Sequence, residues 1–253
     1  MTPAAGDEPP PYELDETRCG GGRAPALRES TRPAAAGDEP PPYEIRQSVT
    51  PSDLHDRIAR AAALLRAGGI VAYPTETYYG LGALASRPDA LARLAAAKLR
   101  PPRKPLPLIA ADLAQVQAVA SLDLPLARQL AARFWPGALT LVLPAVVGLD
   151  ETLTGGTGTV AVRVAGGETA RALAREAGGA LVSTSANVSG EQPPTSAADL
   201  SLALLARVDG VLDGGRTPGG LPSTVVSLEL GTLRLVRQGI IPFALIEAAA
   251  RGG

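Results

Sequence analysis

Cysteine occurs once, as Cys19, and histidine once, as His55, in a chain of 253 residues. A single thiol builds neither a disulfide framework nor a cysteine-based zinc site, and it fits a reducing cytoplasm. A single imidazole leaves a hydroxyl nucleophile with one histidine to serve as its base. No uncharged apolar run reaches about 18 residues, and the N-terminus is proline-rich and acidic rather than basic and then apolar, so neither a membrane-spanning helix nor a signal peptide is indicated. The expectation is a soluble, cytoplasmic protein. Lysine is nearly absent too: Lys98 and Lys104, both in AAAKLRPPRKPLPLIA, are the only two, and the other 22 cations are arginines. An ammonium on a flexible stem and a planar guanidinium are not interchangeable, which marks this stretch as a candidate anion-binding segment.

What the chain does contain falls into two kinds of material. Residues 1–47 carry a near-exact repeat, AAGDEPPPYEL at 4–14 and AAGDEPPPYEI at 35–45, around a Gly/Arg/Pro-rich spacer. Such composition buries too little apolar surface to offset its ordering entropy, and a disordered tail is expected. Pro9–Pro11 and Pro40–Pro42 offer polyproline II docking as the functional alternative. The tail holds nine acids and five arginines, which leaves the remainder at net +3. That remainder, 48–253, is long and apolar enough for one substantial core.

From residue 50 the pattern is α/β. Thr50, Pro51 and Asp53 signal a helix start, Leu54, Ile58, Ala62 and Leu65 share a face, and Gly68 is placed to end the helix. A strand is expected over 69–73, a helix capped through Ser86 and Asp89 and running to Lys98, and a buried strand in LPLIA. PLARQLAARF reads as a helix, ALTLVLP and TVAVRV as strands, ETARALAREA as a glycine-terminated helix and ALVST as a strand. A helix near 197–206, a strand over 208–212, a hairpin turning at Leu230-Gly231 and a last helix over 243–250 complete the series. Alternation followed by adjoining strands predicts a single α/β domain, α+β-like, with a twisted mixed parallel/antiparallel sheet flanked by helices.

Polar residues gather after the strands, where α/β sheets form their ligand crevices. PTETYYGLG, read as a strand-to-helix loop, offers Thr75, Glu76 and Thr77. STSANVSG offers Ser183, Ser185 and Asn187 as hydrogen-bonding groups. It is a poor nucleophile site, because His55 belongs to a helix surface and no SxxK spacing exists. DGGRTPGG lacks the GxxxxGK[ST] pattern and is no P-loop; a phosphate cradle and a mobile lid both remain open. Arg163 lies in an otherwise apolar strand, where an arginine is rarely left without an anionic partner. Arg237 is either a second anion clamp or a solvated edge charge. Lys98, Arg100, Lys104, Arg163 and Arg237 beside several hydroxyls suit a polyphosphate. Phosphoryl or nucleotidyl transfer needs mainly positioning and charge stabilisation. No aspartate pair marks a protein-built metal site, so any Mg²⁺ would be held mainly by substrate phosphates and water.

The ordered series YPTETYYGLG, AKLRPPRKPLP, FWPGALTLVLP, TVAVRV, STSANVSG, GGLPSTV and LVRQG resembles the YrdC-like threonylcarbamoyl-AMP synthases, in their short, single-domain form. The resemblance spans about residues 50–243. It implies a nucleotidyltransferase that joins L-threonine, bicarbonate and ATP into L-threonylcarbamoyladenylate and pyrophosphate. The product feeds the N6-threonylcarbamoyladenosine modification of tRNA, with separate partner proteins expected for the transfer. Lys98 and Arg100 match the family's Lys-x-Arg pair and are implied as catalytic. Thr75, Arg163, Ser183 and Ser223 are implied at the threonine, with Arg163 on its carboxylate. Arg100, Lys104, Thr159, Ser185, Asn187 and Arg237 are implied at the nucleotide. Lys104, Ile109 and Ala138 depart from the family pattern. The alternatives are a tRNA or double-stranded RNA binding module without synthesis, and a carbamoyl-transfer domain of the hydrogenase-maturation type, whose zinc-binding cysteine pairs are missing.

Overall fold

The first helix, α1 (Pro51–Arg66), buries Ile58, Ala61, Ala62 and Leu65, the i, i+3, i+4, i+7 stripe of an amphipathic helix. It closes as the glycine predicted: Gly68 takes φ +87°, and the N–H groups of Gly68 and Gly69 reach back to the carbonyls of Leu65 and Leu64. The computed structural model describes residues 51–98, 103–187, 192–229 and 231–252. The repeat-bearing tail with its polyproline segments, the capping Thr50, Arg100 and the hairpin residue Leu230 lie outside the described residues.

After α1 the chain forms β1 (Val71–Pro74), β2 (Tyr79–Gly82), α2 (Pro88–Ala97), β3 (Leu108–Ala110), α3 (Leu113–Gln117), α4 (Pro125–Phe134), β4 (Leu139–Pro144), α5 (Glu151–Thr154), β5 (Thr159–Val164), α6 (Glu168–Ala177), β6 (Leu181–Val182) and β7 (Thr184–Ser185). A 3₁₀ turn (Ala197–Asp199), α7 (Leu202–Leu205), β8 (Gly210–Val211), β9 (Thr224–Glu229), β10 (Thr232–Arg237) and α8 (Phe243–Arg251) follow. The mixed pairing expected is present, divided between two sheets of order β7-β2-β1-β8 and β10-β9-β4-β5-β3-β6.

Four local expectations are corrected. PTETYYGLG is a hairpin rather than a strand-to-helix loop: YGLG is itself β2, paired antiparallel with β1. ALVST is split at Ser183, its first part pairing with β3 and its second with β2. Helix α2 starts with no side-chain cap, since Pro88 in its first turn has no N–H to satisfy. The helix expected near 197–206 is two short pieces, the second restarted by Ser201, whose hydroxyl accepts from the N–H of Leu204.

Alternation along the strands sends side chains to two cores. Val160, Val162, Val164, Leu139, Leu141, Leu108 and Ala110 face a large cluster shared with Leu91, Leu94, Leu130 and Ile246 of the helices. The opposite face of the same sheet carries Ile109, Ala165 and Leu181, packed with α1 and α6 through Leu65, Leu173 and Ala174. Arg163 belongs to this second face, two residues from Ala165 and paired with Ile109. The register also joins Thr140 to Val225 and Val225 to Arg237, while Thr140 and Arg163 each lie one residue beyond the Leu141–Val162 pair. One row across the sheet thus holds Arg237, Val225, Thr140, Arg163, Ile109 and, through its pairing with Ile109, Leu181.

The entry to β9 is closed against the exit of β10. Gly239 donates to Thr224 Oγ1 at 3.0 Å, and a Cβ on it would stand 2.3 Å from Pro222 O and 2.4 Å from Thr224 N. Gly239→Ala should therefore cost about 2 kcal/mol and lower the urea midpoint of unfolding. An unchanged midpoint would show that this backbone approach is not holding the strand pair.

Candidate active site

The site is built on the β1–β2 turn. Thr75 Oγ1 donates to Tyr78 O at 2.7 Å and accepts from the N–H groups of Thr77 and Tyr78, both at 3.3 Å, so the side chain winds the loop around itself. The glycine-rich 213–220 segment braces this loop from outside. Gly219 N donates to Thr77 O at 2.7 Å, Tyr78 OH to Gly220 O at 2.6 Å and Tyr79 OH to Gly215 O at 2.7 Å. Thr217 N is spent on Thr195 O and Gly215 N on Asp213 Oδ1. The amides of Gly215, Thr217 and Gly219 are committed to protein oxygens, so these positions brace the loop.

Glu76 turns inward to Arg163. Arg163 is 6% exposed, and its Nε donates to Glu76 Oε1 at 3.0 Å. The other carboxylate oxygen accepts from Gly167 N at 3.3 Å, at the start of α6. Burial alone would raise the Glu76 pKa. The Arg163 charge, with N–H groups of its own backbone and of Gly167, outweighs burial and holds it below the usual carboxylate range. Among the described residues neither terminal nitrogen of Arg163 has a hydrogen-bond partner. The strand-centre arginine thus has the anionic partner its position demanded, and that partner sits in the neighbouring PTET motif. Tyr73 lies against the same pair and beside the Ser183 side chain, donates to Val182 O at 2.9 Å, and is pushed up by burial.

Of the four residues assigned to the threonine, Thr75 and Ser183 lie close to one another, and Tyr73 lies by both Ser183 and Arg163. A Cβ on Gly80 would stand 3.6 Å from Thr75 Cγ2 and 3.7 Å from Ser183 Oγ, so this glycine leaves the space between them open. Ser223, just before β9, reaches this face through Thr140, the neighbour of Arg163 across the sheet. Its hydroxyl is 2.9 Å from Thr140 Oγ1 and accepts from Arg237 Nη2 at 3.1 Å, and Arg237 also donates to Ser223 O. Arg237, assigned to the nucleotide, thereby meets a residue assigned to the threonine.

Lys98 ends α2 and is 7% exposed. Its Nζ donates to Ser185 O at 2.7 Å, Asn187 O at 2.5 Å and Asn187 Oδ1 at 3.3 Å, and Ser185 Oγ donates to the same Oδ1 at 2.5 Å. The ammonium therefore fixes the STSAN loop, which β2 holds from the other side through the Gly80–Ser185 pair. Ser183 N donates to Pro107 O at 2.8 Å, tying that loop to the segment containing half-buried Lys104. Gly155, at φ +61°, packs so closely on Arg103 O that a Cβ would be 2.4 Å away. The loop leading to Thr159 thus lies against the Lys104 segment, and Thr159 Oγ1 is 2.9 Å from Thr157 Oγ1. Sequence reasoning missed Glu76 as the partner of Arg163, and Thr140. The first was signalled by the carboxylate in a polar turn, the second by a lone hydroxyl in an apolar strand.

No helix among the described residues is long and apolar enough to cross a membrane. The Sua5/YciO/YrdC family, described as telomere recombination, matches residues 63–239. Over 193 residues the chain is 44% identical to the threonylcarbamoyl-AMP synthase of Bacillus subtilis, covering 76% of this chain and 56% of that protein. It is 44% identical over 181 residues to the Chromohalobacter salexigens protein of the same name, covering 71% of this chain and 97% of that one. The chain therefore spans just over half the length of the first and nearly all of the second. The structure matches Pyrococcus abyssi Sua5 complexed with L-threonine at TM-score 0.73 and 39% identity, over 77% of this chain and 57% of that one.

Two outcomes follow from these contacts. Because the Glu76 carboxyl is depressed, its stabilisation is complete above its unfolded value of about 4.3 and is lost as pH falls through the lower folded value. The unfolding free-energy gap between the native protein and Glu76→Gln should accordingly narrow on acidification; a gap constant with pH would show that the carboxyl is not depressed. Lys98→Met, which keeps the apolar stem, should cost about 1–2 kcal/mol and speed amide exchange across 183–187. A lysine facing only substrate would leave both unchanged.

Proposed function

The chain belongs to the Sua5/YciO/YrdC family, and from that premise we propose that it is a threonylcarbamoyl-AMP synthase, converting L-threonine, bicarbonate and ATP into L-threonylcarbamoyladenylate and pyrophosphate. The observation that carries this reading is Arg163: a buried guanidinium with Nε bound to Glu76 and both terminal nitrogens available to an amino-acid carboxylate, beside Thr75 and Ser183. A planar fork on a carboxylate gives two parallel charge-assisted hydrogen bonds.

In this reading the threonine amine takes up bicarbonate, with loss of water, as a carbamate. A carbamate oxygen then attacks the α-phosphorus of ATP, the bond to the β-phosphate oxygen breaks, and pyrophosphate leaves. Binding both substrates side by side supplies most of the catalysis, and cations stabilise the charge that develops on phosphorus and leaving group. Arg100 and Lys104 are assigned to the triphosphate, and Thr159, Ser185, Asn187 and Arg237 to the rest of the nucleotide. Ser223 joins the amino-acid side through its contact with Arg237. Lys98 acts on the nucleotide through the Ser185–Asn187 loop that it holds. Mg²⁺ enters on the phosphates of ATP, since hydroxyl, amide and cationic groups dominate this donor set. The catalytic domain is assigned to 48–253. Its product serves tRNA modification in the cytoplasm, handed on by separate partner proteins.

Pyrophosphate release measured with ATP, bicarbonate and each amino acid tests the reading. Release should require both bicarbonate and L-threonine, and Arg100→Ala should abolish it. Release indifferent to either co-substrate would overturn the assignment.

A further inference from the structure

Arg163 reaches the candidate site only through its terminal nitrogens, because Nε is already held. Glu76 holds it with one oxygen at 3.0 Å and anchors itself with the other on Gly167 N at 3.3 Å. The carboxylate is thus used from both ends, and the guanidinium plane is set by a group that is itself fixed to the start of a ten-residue helix. The seat is shaped for this. A Cβ on Gly166 would stand 3.7 Å from Glu76 Cγ, and one on Gly167 would stand 3.1 Å from Glu76 N and 3.5 Å from Oε2. Gly167 is therefore the tight position beside Glu76, while a Cβ on Gly166 would make only ordinary contact with it. On its other side the turn cannot drift, since Thr75 Oγ1 and the 213–220 segment tie it down. A flexible arginine without this support would lose rotamer freedom on meeting an anion; one already oriented does not.

We infer that Glu76 is a positioning residue for amino-acid recognition, orienting the Arg163 fork so that its two terminal nitrogens meet the substrate carboxylate. The inference rests on the synthase reading for the identity of the ligand. Glu76 touches no substrate in it, and its negative charge offsets that of Arg163. Geometry, more than net attraction, then selects the ligand, which favours a planar carboxylate over other anions.

Calorimetric titration with L-threonine and with L-threoninol, which has an alcohol in place of the carboxylate, separates these statements without requiring turnover. The native protein should bind L-threonine more tightly than L-threoninol. Glu76→Gln keeps the length but cannot accept from both Arg163 and Gly167, so it should weaken L-threonine by about tenfold or more. L-threoninol and ATP affinities should be left in place. Gly167→Ala, whose backbone conformation any residue tolerates, crowds Glu76 without touching Arg163 and should produce the same selective loss in smaller degree. It decides the matter if Glu76→Gln does not fold. Native affinity and preference in both variants would overturn the positioning role and leave the synthase reading intact, as would a uniform weakening of all three ligands. A native protein with no preference for the carboxylate would overturn the amino-acid assignment of Arg163, and this inference with it.

Discussion

A guanidinium at 6% exposure on β5 has given up most of its water, and Glu76 supplies what water no longer does. Removing either partner of such a pair strands a buried charge, which costs far more than the pair gains over an apolar replacement. The bond therefore constrains the fold around it. The β1–β2 turn must reach the large sheet, α6 must begin where the N–H of Gly167 meets the second carboxylate oxygen, and Gly167 must leave room. The small sheet, the large sheet and a helix meet at one ion pair, and the amino-acid side of the candidate site is assembled by the same requirement.

The STSAN loop, proposed for the nucleotide, is held by a different device. Lys98 spends its ammonium on carbonyl and amide oxygens of the STSAN loop, so the loop that presents Ser185 and Asn187 is set by a side chain from the end of α2. On the far side, the pairing of Gly80 with Ser185 registers that loop against the hairpin bearing Thr75. A charged donor on several oxygens is worth more than a neutral one, and here it fixes the backbone of Ser185 and Asn187, whose side chains also bond each other. Family membership, the L-threonine complex of a related protein and this layout support the proposed chemistry, adenylation of a carbamate.

Much of this was legible in the chain. The i, i+3, i+4, i+7 stripe and Gly68 gave α1, Gly178 at φ +81° ended α6 where glycine was expected, and the apolar runs gave β4 and β5 at their observed places. Arg163 stood out because its neighbours in TVAVRV are apolar. Other features were not legible, because they depend on pairing rather than pattern. YGLG is a strand only because β1 lies beside it, and Ser183 divides ALVST only because two different partners claim the two sides. The glycines of 213–220 suggested mobility, yet the amide of Gly219 and the carbonyls of Gly215 and Gly220 are bonded to residues distant in sequence.

By itself the sequence determined most of the alternation of elements, the glycine ends of α1 and α6 and the inventory of charged and hydroxyl groups, since these follow from local backbone preference and periodic burial. Tertiary structure alone decided which of those groups meet. Arg163 finds Glu76 across 87 residues, Lys98 finds Asn187 across 89, and Arg237 finds Ser223 through a register that includes a bulge. The physical reason is that a buried charge selects its partner by distance and desolvation, and strand order, which no local pattern encodes, sets both.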